Sequence, residues 1–222
     1  GPGRHIDFSY MKKMLQYIRF NNKLNLFLNV LVLYESLCPD SERFMAQQLE
    51  RYYDDLKDLI NIQLVPFGKS VVNNGALFFC QHGPAECEGN RMQSCVLQQT
   101  NNQEQQVKFV ICQMSQSNRL TVKQVSNANQ SKIYLIHLLM NLQCAELAGL
   151  SGDIDDCMTT EKGTFLQLQA EQITQSFKPT FVPSIIYDNV SDACVTIYLF
   201  LQLFQYNANK HAVNIFLIFA VH

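Results

Sequence analysis

The 222-residue chain has no long run of charge of one sign: 17 lysines and arginines are set against 19 aspartates and glutamates, for a net charge of −2. A phosphate-tracking surface needs clustered positive charge, so nucleic acid is not expected as a partner. The chain also lacks an apolar stretch long enough for a membrane helix. The nearest, Val213 to Val221, is cut off from the preceding apolar segment by Asn207, Asn209, Lys210 and His211, and stable membrane insertion is not expected. No G-x-G-x-x-G, phosphate-binding loop or serine-hydrolase elbow is present, so no cofactor is called for. No signal peptide is visible, and Gly1-Pro2-Gly3 reads as a tag scar in place of the natural start.

What the chain does have is an apolar fraction of 47%, enough for a real core, and a length that suits one domain, or one domain with a sizeable insertion. It also carries eight cysteines, many for a reducing cytosol. Two glycosylation sequons, at Asn129 and Asn189, point the same way, to the secretory pathway. A lysosomal, endosomal or secreted location is the expectation.

One cysteine stands apart. Cys38-Pro39-Asp40-Ser41 has the form of a redox C-x-x-C box with serine in the second place. It follows an apolar run, Leu26 to Leu33, that reads as a buried strand. Pro39 suits a first helical position. Phe44, Met45, Leu49, Tyr52, Tyr53, Leu56 and Leu59 recur in helical phase, which predicts a helix from about Pro39 to Leu59. Asn61 to Val65 predicts a second strand, so the unit is a parallel strand–helix–strand crossover. Cys38 then sits at a helix N-terminus, where partial positive charge and free N–H groups favour a thiolate. Ser41 has two readings: a donor to that thiolate, or, more plainly, a solvent-exposed helix cap.

Residues 4–22 show helical spacing of Met11, Met14, Leu15 and Ile18, and Ala76 to Phe79 reads as a short strand. Residues 80–157 hold six cysteines, and 98–130 is rich in Gln and Asn, which predicts a mostly helical, disulfide-stapled insertion. Cys80, Cys87, Cys95, Cys112, Cys144 and Cys157 are expected to form three bridges, their pairing open. A Cys/His metal site from Cys80, His82, Cys87 and Cys95 lacks the short knuckle spacing of common zinc sites, so no metal is expected. His82 reads as a structural or surface histidine. Cys194 reads as a buried free thiol, with an intermolecular bridge as the alternative. Thr164 to Phe177 predicts a helix with Phe165, Leu166 and Leu168 in apolar contact, and Ala193 to Tyr206 resumes a helix-like pattern. Phe181 to Tyr187 predicts a strand whose early Pro183 a cis Val182–Pro183 bond would explain.

Four blocks, in order, resemble the gamma-interferon-inducible lysosomal thiol reductase family. They are Tyr34-Glu35-Ser36-Leu37-Cys38-Pro39-Asp40-Ser41, then Leu64-Val65-Pro66-Phe67-Gly68, then Cys80-Gln81-His82-Gly83 with Glu86-Cys87, Asn90 and Cys95, and finally Phe181-Val182-Pro183. The third is the family's specific signature. The resemblance covers about residues 24–190 and implies an α/β, thioredoxin-like domain over 24–206 with the insertion at about 80–157. Residues 1–23 and 207–222 are atypical extensions. It further implies reduction of protein disulfides in acidic endosomes and lysosomes, with Cys38 as nucleophile, Pro183 as the facing cis-proline, and Pro39, Asp40 and Val182 beside them. Ser41 departs from the family's cysteine pair. A serine hydroxyl cannot displace a thiolate from a disulfide, so release falls to an external thiol such as glutathione or cysteine. Two functions follow as expectations: a monothiol exchanger acting on protein or peptide disulfides, or a non-catalytic binding module that holds a partner with the groove around 38–41 and 182–183 or with the insertion.

Overall fold

The computed structural model describes residues 12, 28–73, 75, 77–115, 139 and 141–188. The helix expected over 4–22 (Lys12 apart), both sequons, Cys194 and the pattern after it lie outside the described residues.

A three-stranded sheet forms the centre. Strand β1 (Leu28–Tyr34) lies between β2 (Ile60–Pro66), which runs parallel to it, and β5 (Ser184–Asp188), which runs antiparallel. Val32 is opposite Leu64 on one side and Ile185 on the other. Strand β1 is apolar on both faces because both faces are covered. Val30, Val32 and Tyr34, with Ile62 and Leu64 of β2, belong to the larger core. Leu33, Val65 and Ile186 belong to a smaller one, against which Leu31 also packs.

The chain leaves β1 through a short loop into α1 (Pro39–Phe44), a π turn (Met45–Leu49) and α2 (Glu50–Leu56). Phe44, Met45, Leu49, Tyr53 and Leu56 supply the larger core, as the helical phase predicts. The helix stops three residues short of Leu59, because residues 57–59 turn the chain into β2. Within the insertion, α3 (Pro84–Leu97) and α4 (Gln103–Met114) add Met92, Val96, Val107, Phe109 and Val110 to the same core. Residues 141–147 are also helical, followed by α5 (Asp155–Thr159). Three disulfides tie this region together: Cys80–Cys87, Cys95–Cys157 and Cys112–Cys144. Helix α6 (Glu161–Phe177) closes the smaller core with Ala170, Ile173 and Phe177. This is a thioredoxin-like α/β arrangement with a helical, disulfide-rich insertion.

The strand expected at 76–79 is present as β4 (Leu77–Phe79), paired with β3 (Val71–Asn73) in a hairpin separate from the central sheet. One local expectation needs correcting. Phe165 is not a packing residue, being 59% exposed. The inward stripe of α6 is Gly163, Gln167, Ala170 and Thr174, whose 3–4-residue spacing puts them on one face. No described helix is long and apolar enough to cross a membrane.

Candidate active site

Cys38 occupies the N-cap of α1, with extended backbone (φ −69°, ψ 124°) and Pro39 at the first helical position. Its carbonyl accepts the first helical bond from Glu42 N at 3.0 Å, and its own N–H donates to the Glu35 carbonyl at 3.3 Å. Its Sγ lies 3.9 Å from the carbonyl oxygen of Val182, and the Val182–Pro183 peptide is cis. The fold therefore brings together Cys38, Pro39, Val182 and Pro183 from opposite ends of the sequence. Cys38 is 6% exposed, while Pro39, Asp40 and Phe181 on the rim are open to solvent. Asp40 pairs with Arg43 at 2.9 Å, an exposed contact worth little to stability.

Ser41 is neither a cap nor exposed. It is fully buried, and its Oγ accepts from the Glu35 N–H at 3.4 Å. The helix cap is Cys38 itself, which makes no side-chain capping bond. The hydroxyl thus braces the loop that presents the thiol.

That loop is held by one face of α3. Tyr34 OH donates to Gln93 Oε1 at 2.7 Å. Ser36 N donates to Asn90 Oδ1 at 2.9 Å, and Ser36 Oγ to the Glu86 carbonyl at 3.1 Å. Glu86, Asn90 and Gln93 are all buried, and their spacing of four and three residues places them along one side of the helix. Here a polar stripe, not an apolar one, does the docking. Tyr34 stays protonated, because burial raises its pKa well above the ordinary tyrosine value. Gln167 on α6 reaches Pro66 O, Asn90 O and Ser94 Oγ (2.8 Å for the last), joining α3 to β2.

Glu35 is the other buried member of the loop. Its Oε1 accepts from Lys69 N at 2.7 Å. His82 Nδ1 lies 3.5 Å from its Oε2 and 2.6 Å from Glu86 Oε2. Desolvation raises the Glu35 pKa and the nearby Glu86 charge adds to this, against the Lys69 amide, His82 and the Lys69 charge, which lower it. The signature turn is set by Gly83 (φ 89°), which precedes Pro84 at the start of α3. The Cys80–Cys87 bridge closes it. Cys80, Cys87 and Cys95 are all in disulfides, so none is a thiolate ligand. Neither Glu35 nor the 86/90/93 stripe is given a role by local periodicity. The only sequence signal for the stripe is helical spacing of polar residues inside a specific motif.

Gly68 shows how tightly Glu35 is seated. It adopts φ +58°, and a Cβ there would overlap the Glu35 Cγ and carboxylate. Gly68→Ala is expected to cost about 2–4 kcal/mol, from backbone strain plus displacement of a buried carboxylate. Urea melts of the two proteins check this, and equal midpoints would show that Glu35 moves aside freely.

A family model described as gamma interferon inducible lysosomal thiol reductase matches residues 29–132. The chain is 29% identical over 170 residues to GILT-like protein 1 of Drosophila melanogaster, covering 72% of this chain and 66% of that protein. Over 72 residues it is 46% identical to a gamma-interferon-inducible lysosomal thiol reductase-like protein of Anopheles gambiae, covering 31% and 30%. It thus spans just under two thirds of the first relative and under one third of the second. Among solved structures, a putative protein disulfide isomerase from Nitrosomonas europaea matches with a TM-score of 0.47 and 10% identity, over 83% of this chain and 99% of that one.

Proposed function

Because the chain belongs to the gamma interferon inducible lysosomal thiol reductase family, we propose that it carries out thiol–disulfide exchange on protein or peptide disulfides, using Cys38 alone. The observation that carries this reading is the placement of Cys38 at the N-terminus of α1 with its sulfur against the Val182 carbonyl. The Cys38 thiolate attacks one substrate sulfur. The S–S bond breaks, its electron pair leaves on the other sulfur, which takes a proton, and a Cys38–substrate disulfide remains. Ser41 cannot resolve it. A glutathione thiolate attacks Cys38 Sγ and expels the second substrate sulfur, which is protonated. A further glutathione then attacks the glutathione sulfur of the Cys38–glutathione bond and frees Cys38. The substrate disulfide gains two electrons and two protons, and two glutathiones become one glutathione disulfide. The three bridges of the insertion suit an oxidising endosomal, lysosomal or secreted compartment.

The test is intact-mass analysis after mixing the protein with a peptide disulfide and no other thiol. One adduct per chain, mapped to Cys38 and released by glutathione, is the expected result, with turnover rising in proportion to glutathione. A second reading, a binding module without turnover, is favoured by the burial of Cys38 at 6% exposure, since buried cysteines are generally inert. An unmodified Cys38 under these conditions selects that reading.

A further inference from the structure

Behind the Cys38 loop, two carboxylates and one imidazole converge with more acceptors than donors. Glu35 and Glu86 are fully buried, and His82 retains 26% side-chain exposure. Glu35 Oε1 takes the Lys69 amide and Glu86 Oε1 takes the His82 amide. The second oxygen of each faces His82 Nδ1, at 3.5 Å and 2.6 Å. One ring nitrogen has a single proton to give, and Glu35 Oε2 is buried with no hydrogen-bond donor. An unpaired buried carboxylate oxygen is costly, and a cation that takes all three lone pairs removes that cost.

We propose that Glu35 Oε2, His82 Nδ1 and Glu86 Oε2 form a binding site for a divalent first-row transition cation, with Zn²⁺ as the type. The three atoms lie within 4.8 Å of one another. With metal–ligand bonds of about 2.1 Å, a tetrahedron has edges of about 3.4 Å. The Glu35–His82 separation already matches that edge at 3.5 Å, and the Glu86–His82 contact has to open by ~0.8 Å. One imidazole with two carboxylates suits Zn²⁺ or Mn²⁺ better than the all-oxygen preference of Ca²⁺ or Mg²⁺. A dication also balances the two carboxylate charges. Three protein ligands leave a fourth position for water, reached past the exposed edge of His82. The Glu35 carbonyl accepts the Cys38 N–H, so the cation would tie the thiol-bearing loop to the signature turn. The site stands on this geometry alone, independently of the disulfide-exchange reading.

Zn²⁺ titration of the Cys38→Ser protein, from which the buried thiol is absent, provides the test. Calorimetry at neutral pH is expected to give one saturable site per chain, with a higher melting temperature. His82→Ala, at a side chain 26% exposed, should weaken binding at least ~100-fold, beyond the 10–100-fold range for supporting residues. Glu86→Gln should do the same. Co²⁺ substitution should give a visible d–d band without thiolate charge transfer. No binding, binding unchanged in His82→Ala, or a thiolate band would each overturn the site. The first outcome would mean that a proton on one carboxylate settles the pair instead.

Discussion

Placing a cysteine at position 41 is expected to raise disulfide-reductase turnover at least ~100-fold at millimolar glutathione, since intramolecular attack proceeds at effective concentrations far above those of free thiol. Positions 38 and 41 are three residues apart on the first turn of α1, which brings their side chains to one face. The space at 41 is already filled by a buried hydroxyl, whose Oγ accepts one long bond from Glu35 N. At 3.4 Å that bond is long and weak, so replacing it by the weaker acceptance of a sulfur gives up little of the loop's bracing. With a dithiol, the Cys38–substrate disulfide resolves internally. Dependence on glutathione then passes from substrate release to reduction of the bridge between Cys38 and the introduced thiol. Adding Cys38→Ser to the Ser41→Cys protein should abolish the gain, because the residual thiol lacks the N-cap position. Turnover is followed with a fluorogenic disulfide substrate across a glutathione series. If Ser41→Cys gives the same rate and the same glutathione order as the parent, intramolecular resolution is not what the site lacks. The buried thiol itself would then be the barrier.

Much of the frame around that site is readable from sequence because it is local. The apolar run before Cys38, Pro39 at the first turn and the helical phase through Leu56 each reflect one element's own burial pattern, and β1, α1, α2 and β2 lie where those patterns put them. The proline in an apolar strand points to a cis bond, and Val182–Pro183 is cis. What is not readable depends on contacts between elements rather than on the pattern within one. A single strand pattern at 77–79 does not name its partner, and the partner is β3 rather than the central sheet. Ser41 reads as an exposed cap until the Glu35 amide is seen above it. Phe165 reads as core until the phase of α6 is fixed by Gly163, Gln167 and Ala170 against α3 and β2. The polar stripe Glu86, Asn90 and Gln93 violates the apolar-inside rule and is invisible to it. Its Asn90 and Gln93 side-chain oxygens accept from the Ser36 amide and the Tyr34 hydroxyl, 54 and 59 residues earlier in the chain.

The disulfides make a second large prediction, and their sequence separations rank it. Cys95–Cys157 closes a span of 62 residues, Cys112–Cys144 one of 32, and Cys80–Cys87 one of 7. Because Cys112–Cys144 lies within the span of Cys95–Cys157, each shortens the other's effective loop, to about 30 and about 15 residues, and loop-closure entropy in the unfolded chain gives losses of ~3.6, ~3.1 and ~2.4 kcal/mol on replacing each pair by alanine. The first is further aggravated because Cys95 and Cys157 are both buried in the larger core, at 3% and 6% exposure, so deletion also loses packing between α3 and α5. For a chain of this size, the Cys95→Ala, Cys157→Ala pair should melt roughly 7–14 °C lower from the loop term alone. Calorimetric scans without reductant give the order directly. A larger loss for Cys80–Cys87 than for Cys95–Cys157 would contradict the loop-entropy account. Function should follow a different order from stability. Cys80–Cys87 encloses the turn that carries His82 and Glu86 toward Glu35 and lies at the start of the helix face that holds Ser36. Its removal, the least costly to the fold, is therefore expected to slow adduct formation at Cys38 more than removal of Cys112–Cys144. The rate of single-turnover alkylation of Cys38, measured below each variant's melting temperature, separates the two orders. Equal rates in both variants would show that the signature turn does not set the presentation of the thiol.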